Sequence, residues 1–297
     1  MIMQHFLTLK DLSQRELETI VKRAIKLKQE PQQAMRAESK TLGLIFSKVS
    51  TRTRVAFEVA MNQLGGSAVF LAANDAQTGR GEPVADTARV ISSMVDLIAV
   101  RTHAHSQLEE FASHSRVPVI NALSDDFHPC QLLADVQTFI EVRGSIRDAH
   151  VAWIGDGNNM CQSYINAAAA FGFSLSIACP LGYEPNRQLL KDNSHCVRLV
   201  DNPAHAARGA DLVATDVWAS MGSEAEALQR KQHFGGFQVT QDLMAEAAAD
   251  ALFMHCLPAH RGEEVTADVI ESTSSVVWQE AENRLHSQKA LIEFLLS

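Results

Sequence analysis

The feature that most constrains this chain is the spacing of its short apolar runs. β-rich runs recur at Leu42–Phe46, Ala68–Leu71, Leu97–Val100, Val117–Ile120, Val151–Ile154, Leu175–Ala178, Val197–Val200, Leu212–Thr215, Leu252–His255 and Val276–Trp278. Their length and β-branched content read as strands. Between them lie longer helical patterns at Thr51–Leu64, Val84–Val95, Gln107–Ser113, Pro129–Val142 and Met160–Phe171, with a last one at Glu280–Leu296. Local signals agree: Ser50 is a candidate N-cap, Gly65-Gly66 a stop, and Pro83 a first-turn proline. Strand–helix alternation of this kind predicts an α/β protein whose sheets are parallel and covered on both faces.

So many strands exceed one doubly wound sheet, and 297 residues suit two domains. The polar, glycine-containing stretch Glu141–Asp148 marks the expected boundary. The expectation is two doubly wound parallel-sheet domains: residues 1–140 with the C-terminal helix 280–297, and residues 141–279. That last helix carries apolar positions at Leu285, Ala290, Leu291, Phe294 and Leu295 that could dock on either domain, and it is assigned to the first.

Composition excludes several classes of function. Lys+Arg is 26 against Asp+Glu 35, a formal net charge of −9, which disfavours a nucleic-acid backbone as partner. With 46% hydrophobic and 21% charged residues the chain has a core to build and is not disordered. No apolar run approaches the roughly 18 residues of a membrane span, and Met1–Leu12 has none of the parts of a signal peptide. Five cysteines without a Cys-x-x-Cys pair make neither a disulfide framework nor a zinc knuckle, so the expected compartment is a reducing cytoplasm.

Ligands of open parallel sheets bind beyond the carboxyl ends of the strands. The polar residues in those places are Ser47–Arg54, Arg101, Asn121–His128, Gly155–Asn159, Asp216–Ser220 and Cys256–Pro258. In Ser50-Thr-Arg-Thr-Arg54 a hydroxyl-rich turn opens a helix, where free N–H groups, the helix dipole and guanidinium favour an anion. Arg52 and Arg54 stand about 200° apart around a helix, so Arg52 is assigned to the anion and Arg54 to a structural contact; an ordinary capped helix is the plain alternative. His128 could polarise a carbonyl, with Gln131 one turn on, or it could simply cap or pack. Gly155-Asp-Gly157 opens a helix after a strand, but Met160 replaces the third glycine of a dinucleotide fingerprint and no acid follows the next strand. Asn158 and Asn159 are read instead as amides facing a small polar substrate. Asp216 suits a substrate ammonium or caps its turn. Cys256 beside His255 invites a thiol-hydrolase reading, which the opposite facing of adjacent strand residues opposes. No further ligands stand near His128 at metal spacing, and no metal or cofactor is expected.

Together these residues resemble the ornithine carbamoyltransferase family. The likeness runs nearly end to end through Phe46-x-Lys48-x-Ser50-Thr-Arg-Thr-Arg54, Gly79-Arg-Gly-Glu-Pro83, Asp86-Thr-Ala-Arg89, His128-Pro-x-Gln131, Asp216-x-Trp-x-Ser220-Met-Gly222, His255-Cys-Leu-Pro258 and Glu280-Ala-Glu-Asn-Arg284. Ser220-Met221-Gly222 with His255–Pro258 points to the ornithine rather than the aspartate branch. Ser47 and Val49 depart from the family, which usually has an acid and a proline there. The resemblance implies transfer of the carbamoyl group of carbamoyl phosphate to the δ-amine of L-ornithine, giving L-citrulline and phosphate, in arginine metabolism. It implies a carbamoyl-phosphate domain followed by an ornithine domain. It implies that Ser50, Thr51, Arg52 and Thr53 hold the phosphate, with Arg101 bridging to the carbamoyl oxygen. His128, Gln131, Arg284, Cys256 and Leu257 would bind the carbamoyl end, with Arg101, His128 and Cys256 the catalytic set. Asn159, Asp216, Ser220 and Met221 would bind ornithine. It further implies a cis Leu257–Pro258 bond and a homotrimer in which Gln77 reaches a neighbouring subunit's site.

Overall fold

The computed structural model describes residues 4–34, 37–72, 82–219 and 227–297. Gln77, Ser220 and Met221 lie outside those residues. The chain forms two compact units, residues 1–137 with 282–297, and residues 138–281.

In the first unit the strands are β1 (Thr41–Phe46), β2 (Ser67–Ala72), β3 (Leu97–Arg101) and β4 (Val119–Leu123). The helices are α1 (Gln14–Gln29), α2 (Thr51–Gln63), α3 (Val84–Ile91) and α4 (His105–His114); α5 (Pro129–Arg143) begins here and runs into the second unit. All strand pairs are parallel, in the order β2-β1-β3-β4. β3 is buried along its whole length, as a strand covered on both faces must be. On one face Ile45, Ile98, Val100 and Val119 pack on Ala88 of α3 and on Leu108, Phe111 and Ala112 of α4. Ser50 caps α2, its hydroxyl accepting from Thr53 N at 3.4 Å. Pro83 sits one residue earlier than expected, at the N-cap of α3 rather than in its first turn. No helix or strand is expected from the sequence before Leu42. The structure places α1 there, held by a Ser13/Glu16 capping box and burying Leu17, Ile20, Val21, Ala24 and Leu27.

The second unit contains β5 (His150–Ile154), β6 (Ser174–Ala178), β7 (Val197–Val200), β8 (Leu212–Thr215) and β9 (Leu252–His255). Between them come α6 (Asn159–Phe171), α7 (Arg187–Asp192), α8 (Pro203–Ala207), α9 (Ala227–His233) and α10 (Gln241–Met244), then α11 (Ala267–Ile270); α12 (Val277–Leu296) begins here, and from residue 282 on it belongs to the first unit. The sheet is parallel in the order β7-β6-β5-β8-β9. Ala152, Ile154, Ala178, Val213 and Phe253 line one face and pack on Ala206, Met244, Val269 and Val277. The expected strand Val276–Trp278 is overturned: only Ser275 forms an isolated bridge, to Phe253, and Val277 opens α12. A run of three apolar residues carries no periodicity of its own, and Trp278, at 55% exposure, faces outward from the helix start.

Each sheet reverses its direction of growth once. In the first, β1 to β2 goes one way and β3 to β4 the other, so the loops after β1 and β3 flank a switch point. In the second the reversal falls between β5 and β8. The loop after β5 is tightly built: a Cβ on Gly157 would stand 2.3 Å from Pro185 N and 2.5 Å from Tyr183 O, and Gly157 N donates to Tyr183 O at 2.8 Å. The second glycine of the apparent dinucleotide motif therefore meets the chain's own backbone.

Gly157→Ala is expected to lower stability toward urea by about 1–3 kcal/mol, as overpacking against immovable backbone does. Gly236→Ala, where a Cβ meets nothing within 4 Å, should stay within about 0.5 kcal/mol of the parent.

Candidate active site

The first unit gathers its candidate residues at the β1/β3 switch point. Phe46 and Arg101 are register partners at the ends of β1 and β3, and Ser47 N donates to Arg101 O at 2.8 Å. That places the α2 N-terminus, with Ser50, Thr51, Arg52 and Thr53, on the same edge as Arg101. Thr53 is buried, while Thr51 and Arg52 are exposed. Arg54 turns elsewhere: its guanidinium pairs with Glu58 at 2.8 Å and stacks 3.8 Å above the Phe70 ring. Lys48 pairs with Asp125 beyond β4. Val49, at one of the two positions that depart from the family pattern, is 85% exposed.

His128 precedes α5, and Gln131 lies in its first turn, its N–H donating to His128 O at 3.1 Å. Both are buried, as are Arg101 and Arg284. Arg284 comes from α12 and donates through Nη1 to Gln131 Oε1 at 2.6 Å; Gln131 Nε2 donates to Asp135 Oδ1 at 2.9 Å. Burial, then the guanidinium charges of Arg284 and Arg101, hold His128 well below the usual imidazole range. Both causes favour the neutral imidazole. Cys130 faces away, donating to Asn121 O at 3.3 Å, and burial pushes its thiol up to about 12.

In the second unit Asp216 and Cys256 each follow a strand end, and Thr215 and His255 are register partners. The Cys256 thiol accordingly reaches Asp216 Oδ1 at 3.1 Å, and Val217 N donates to the same oxygen at 2.8 Å. Asn158 Nδ2 donates to Asp216 Oδ2 at 2.8 Å, while its Oδ1 caps α6 through Met160 N and Cys161 N. The sequence reading paired Asn158 with Asn159 as substrate-facing amides. The structure turns Asn158 inward as cap and donor, and Asn159 opens α6 half-buried. Asp156 pairs with Arg230 at 2.7 Å, yet burial pushes its carboxyl up to about 6, with Asp216 adding to the rise.

His255 points away from Cys256. Its Nδ1 accepts from Leu257 N at 2.9 Å and its Nε2 lies 3.0 Å from Glu264 Oε1. Because Nδ1 takes a backbone proton donor, the hydrogen must sit on Nε2. This pair holds Leu257, whose φ of 56° is left-handed, ahead of a cis Leu257–Pro258 bond. Asn158 with Asp216, and Asp156 with Arg230, are not legible in the sequence as positioning pairs because the partners stand 58 and 74 residues apart, while His255 and Glu264, nine apart, are brought together by the loop after β9.

Two groups, Asp216/His255/Cys256 and His260/Glu263/Glu264, bring potential metal-ligand atoms within 4.8 Å of one another. In the first, the thiol and both ring nitrogens already make hydrogen bonds within the protein. In the second, Glu263 is paired with Lys231 and Glu264 with His255.

These arrangements are those of a two-unit α/β enzyme with buried guanidinium groups and a helix N-terminus on one unit's edge and carboxylates and amides on the other's. Family comparison covers both units. Residues 4–141 match the carbamoyl-phosphate-binding domain of the aspartate/ornithine carbamoyltransferases, and residues 147–295 match their aspartate/ornithine-binding domain. The chain belongs to the aspartate/ornithine carbamoyltransferase family. It is 59% identical to the ornithine carbamoyltransferase of Methylococcus capsulatus over 294 residues, 99% of each chain. Among solved structures it resembles the ornithine carbamoyltransferase of Burkholderia thailandensis, with a TM-score of 0.92, 48% identity and 99% of each chain covered. The anabolic enzyme of Campylobacter jejuni gives a TM-score of 0.94 at 44% identity, again over 99% of each chain.

The suppressed basicity of His128 has a consequence for stability. The unfolded chain takes up a proton at His128 near pH 6.5 while the folded chain resists it, so stability is present above that pH and is lost as pH falls. Between pH 7.5 and 5.5 the wild type should lose about 1.4 kcal/mol more than His128→Gln, one proton's worth. Urea titrations of both proteins at the two pH values check this.

Proposed function

We propose that this chain transfers the carbamoyl group of carbamoyl phosphate to L-ornithine, giving L-citrulline and phosphate, and that the two units divide the substrates between them. The observation that carries the reading is the neutral, buried His128 flanked by Arg101 and Arg284 on the edge where α2 begins. Ser50, Thr51, Arg52 and Thr53 bind the phosphate through hydroxyls, first-turn N–H groups and a guanidinium. Arg101 bridges phosphate and carbamoyl oxygen. The carbamoyl end is assigned to His128, Gln131, Arg284, Cys256 and Leu257. Asn159, Asp216, Ser220 and Met221 bind ornithine.

The chemistry asks for placement and charge rather than for a redox or electron-sink group. The δ-amine nitrogen attacks the carbonyl carbon, the bond from carbon to the phosphate oxygen breaks with its electron pair, and the amine gives up a proton. Negative charge grows on the carbonyl oxygen and on the departing phosphate, where preorganised cations and a neutral N–H donor stabilise it. A neutral His128 contributes as such a donor without surrendering a proton.

The acceptor is the cationic one. Among the described residues, Asp156 and Asp216 are buried acids on the second unit's edge, and Arg230 is bound to Asp156. Such an edge attracts an ammonium and repels the second carboxylate of aspartate. The relatives named as ornithine carbamoyltransferases support the same choice. Five free thiols suit a reducing cytoplasm, and among the described residues no helix is long and apolar enough to cross a membrane. We read the enzyme as a cytoplasmic homotrimer serving arginine synthesis, with Gln77 completing a neighbouring subunit's site.

Purified protein should release citrulline with ornithine and give no carbamoylated product at comparable rate with aspartate or putrescine; equal rates with aspartate would overturn the ornithine reading. Arg52→Ala should lower kcat/KM for carbamoyl phosphate about 100-fold or more with its unfolding temperature unchanged, on the scale of losing one oxyanion donor. Arg54→Ala, which loses the Glu58 and Phe70 contacts, should act on stability and leave KM within about twofold. For the shared site, Gln77→Ala and Arg101→Ala trimers should each be impaired, and mixed reassembly should regain activity.

A further inference from the structure

We infer that Asp135 is a positioning residue for carbamoyl transfer, acting through Gln131 on Arg284; the inference rests on the reading of the site given under Proposed function. Asp135 and Gln131 lie one turn apart on α5, and Arg284 comes from α12. All three are buried, at 2%, 1% and 7% exposure. Gln131 Nε2 donates to Asp135 Oδ1 at 2.9 Å, and Gln131 Oε1 accepts from Arg284 Nη1 at 2.6 Å.

The chemistry of the two ends forces the middle. An ionised carboxylate can only accept hydrogen bonds, and a guanidinium can only donate them. A glutamine amide between the two has one orientation, NH2 toward Asp135 and oxygen toward Arg284. Asp135 therefore fixes the amide from behind, and the amide oxygen in turn fixes the guanidinium. Both contacts include an ionised partner, which makes them shorter and stronger than neutral ones.

The local charge balance gives this relay through Gln131 its weight. Two guanidinium groups, Arg101 and Arg284, are buried beside the uncharged His128. Among the described residues of this unit two acids are buried, Asp135 and Glu293, and Glu293 is bound to Arg23 at 2.6 Å. Asp135 thus supplies negative charge one hydrogen-bonded group away from Arg284. Its removal should let the guanidinium drift, and displacements of about 1 Å in a positioning group cost rate heavily.

The test uses Asp135→Asn, which keeps the shape of the side chain and removes the charge. We expect kcat/KM for carbamoyl phosphate to fall about tenfold, with KM for ornithine at saturating carbamoyl phosphate within twofold and the unfolding temperature nearly unchanged. Gln131→Ala supplies the decisive background: if Asp135 works through Gln131, adding Asp135→Asn to Gln131→Ala should lower kcat/KM by less than twofold further. A role in packing alone would lower it by the same factor in both backgrounds, and that result overturns the proposal. So does an Asp135→Asn enzyme within twofold of the parent. Crystal structures of the parent and Asp135→Asn give a readout that needs no turnover. Arg284 should hold one position in the first and move or split in the second; an unchanged Arg284 overturns the inference, whereas absence of citrulline from the parent overturns only the assigned reaction.

Discussion

Parallel pairing is the constraint from which the rest follows. A parallel strand cannot be reached by a tight hairpin, so every step in either sheet needs a crossover, and nearly all of these carry a helix. Each sheet grows outward from its first strand in one direction and then in the other. Where the direction reverses, neighbouring crossovers leave toward opposite faces and open the carboxyl edge. In the first unit that edge receives the ends of β1 and β3, and with them the start of α2 and Arg101. In the second it receives the ends of β5 and β8, with Asn158, Asn159 and Asp216.

The two edges are electrostatically unlike. The first holds buried guanidinium groups near an imidazole that burial, and then their charge, disposes to stay neutral. The second concentrates carboxylates, one of them raised toward neutrality by burial and by its neighbour. On the function proposed above, the first edge would take the anionic donor and the second the cationic acceptor, and exchanging the substrates would set like charges together.

Four of the polar groups on these edges are held by a second group behind them. Asp135 stands behind Gln131 and Arg284, Asn158 behind Asp216, Glu264 behind His255, and Arg230 behind Asp156. Asp135 and Glu264 are buried and Asn158 and Arg230 half-buried, and each carboxylate or guanidinium in these pairs acts in one sense only, as acceptor or as donor. Such chains keep a polar site from relaxing when substrate leaves, the condition under which preorganised charge lowers a barrier.

By itself the sequence determined the strands that are buried on both faces, because such strands are written as continuous apolar runs, and it determined the caps at Ser50 and the stop at Gly65. It also pointed to the residues after each strand end, because chain position alone puts them on the carboxyl edge. A short apolar run next to a helix start, as at Val276–Trp278, held too little periodicity to tell strand from helix. The order of the strands was decided only in three dimensions, and so was the placing of the reversals between β1 and β3 and between β5 and β8. The partners of Arg284, Asp216 and His255 were decided there too. Gln131 and Arg284 lie on different helices far apart in the chain, and no local propensity couples them; their contact exists because α5 and α12 pack in one core and a buried polar group must find a partner inside it.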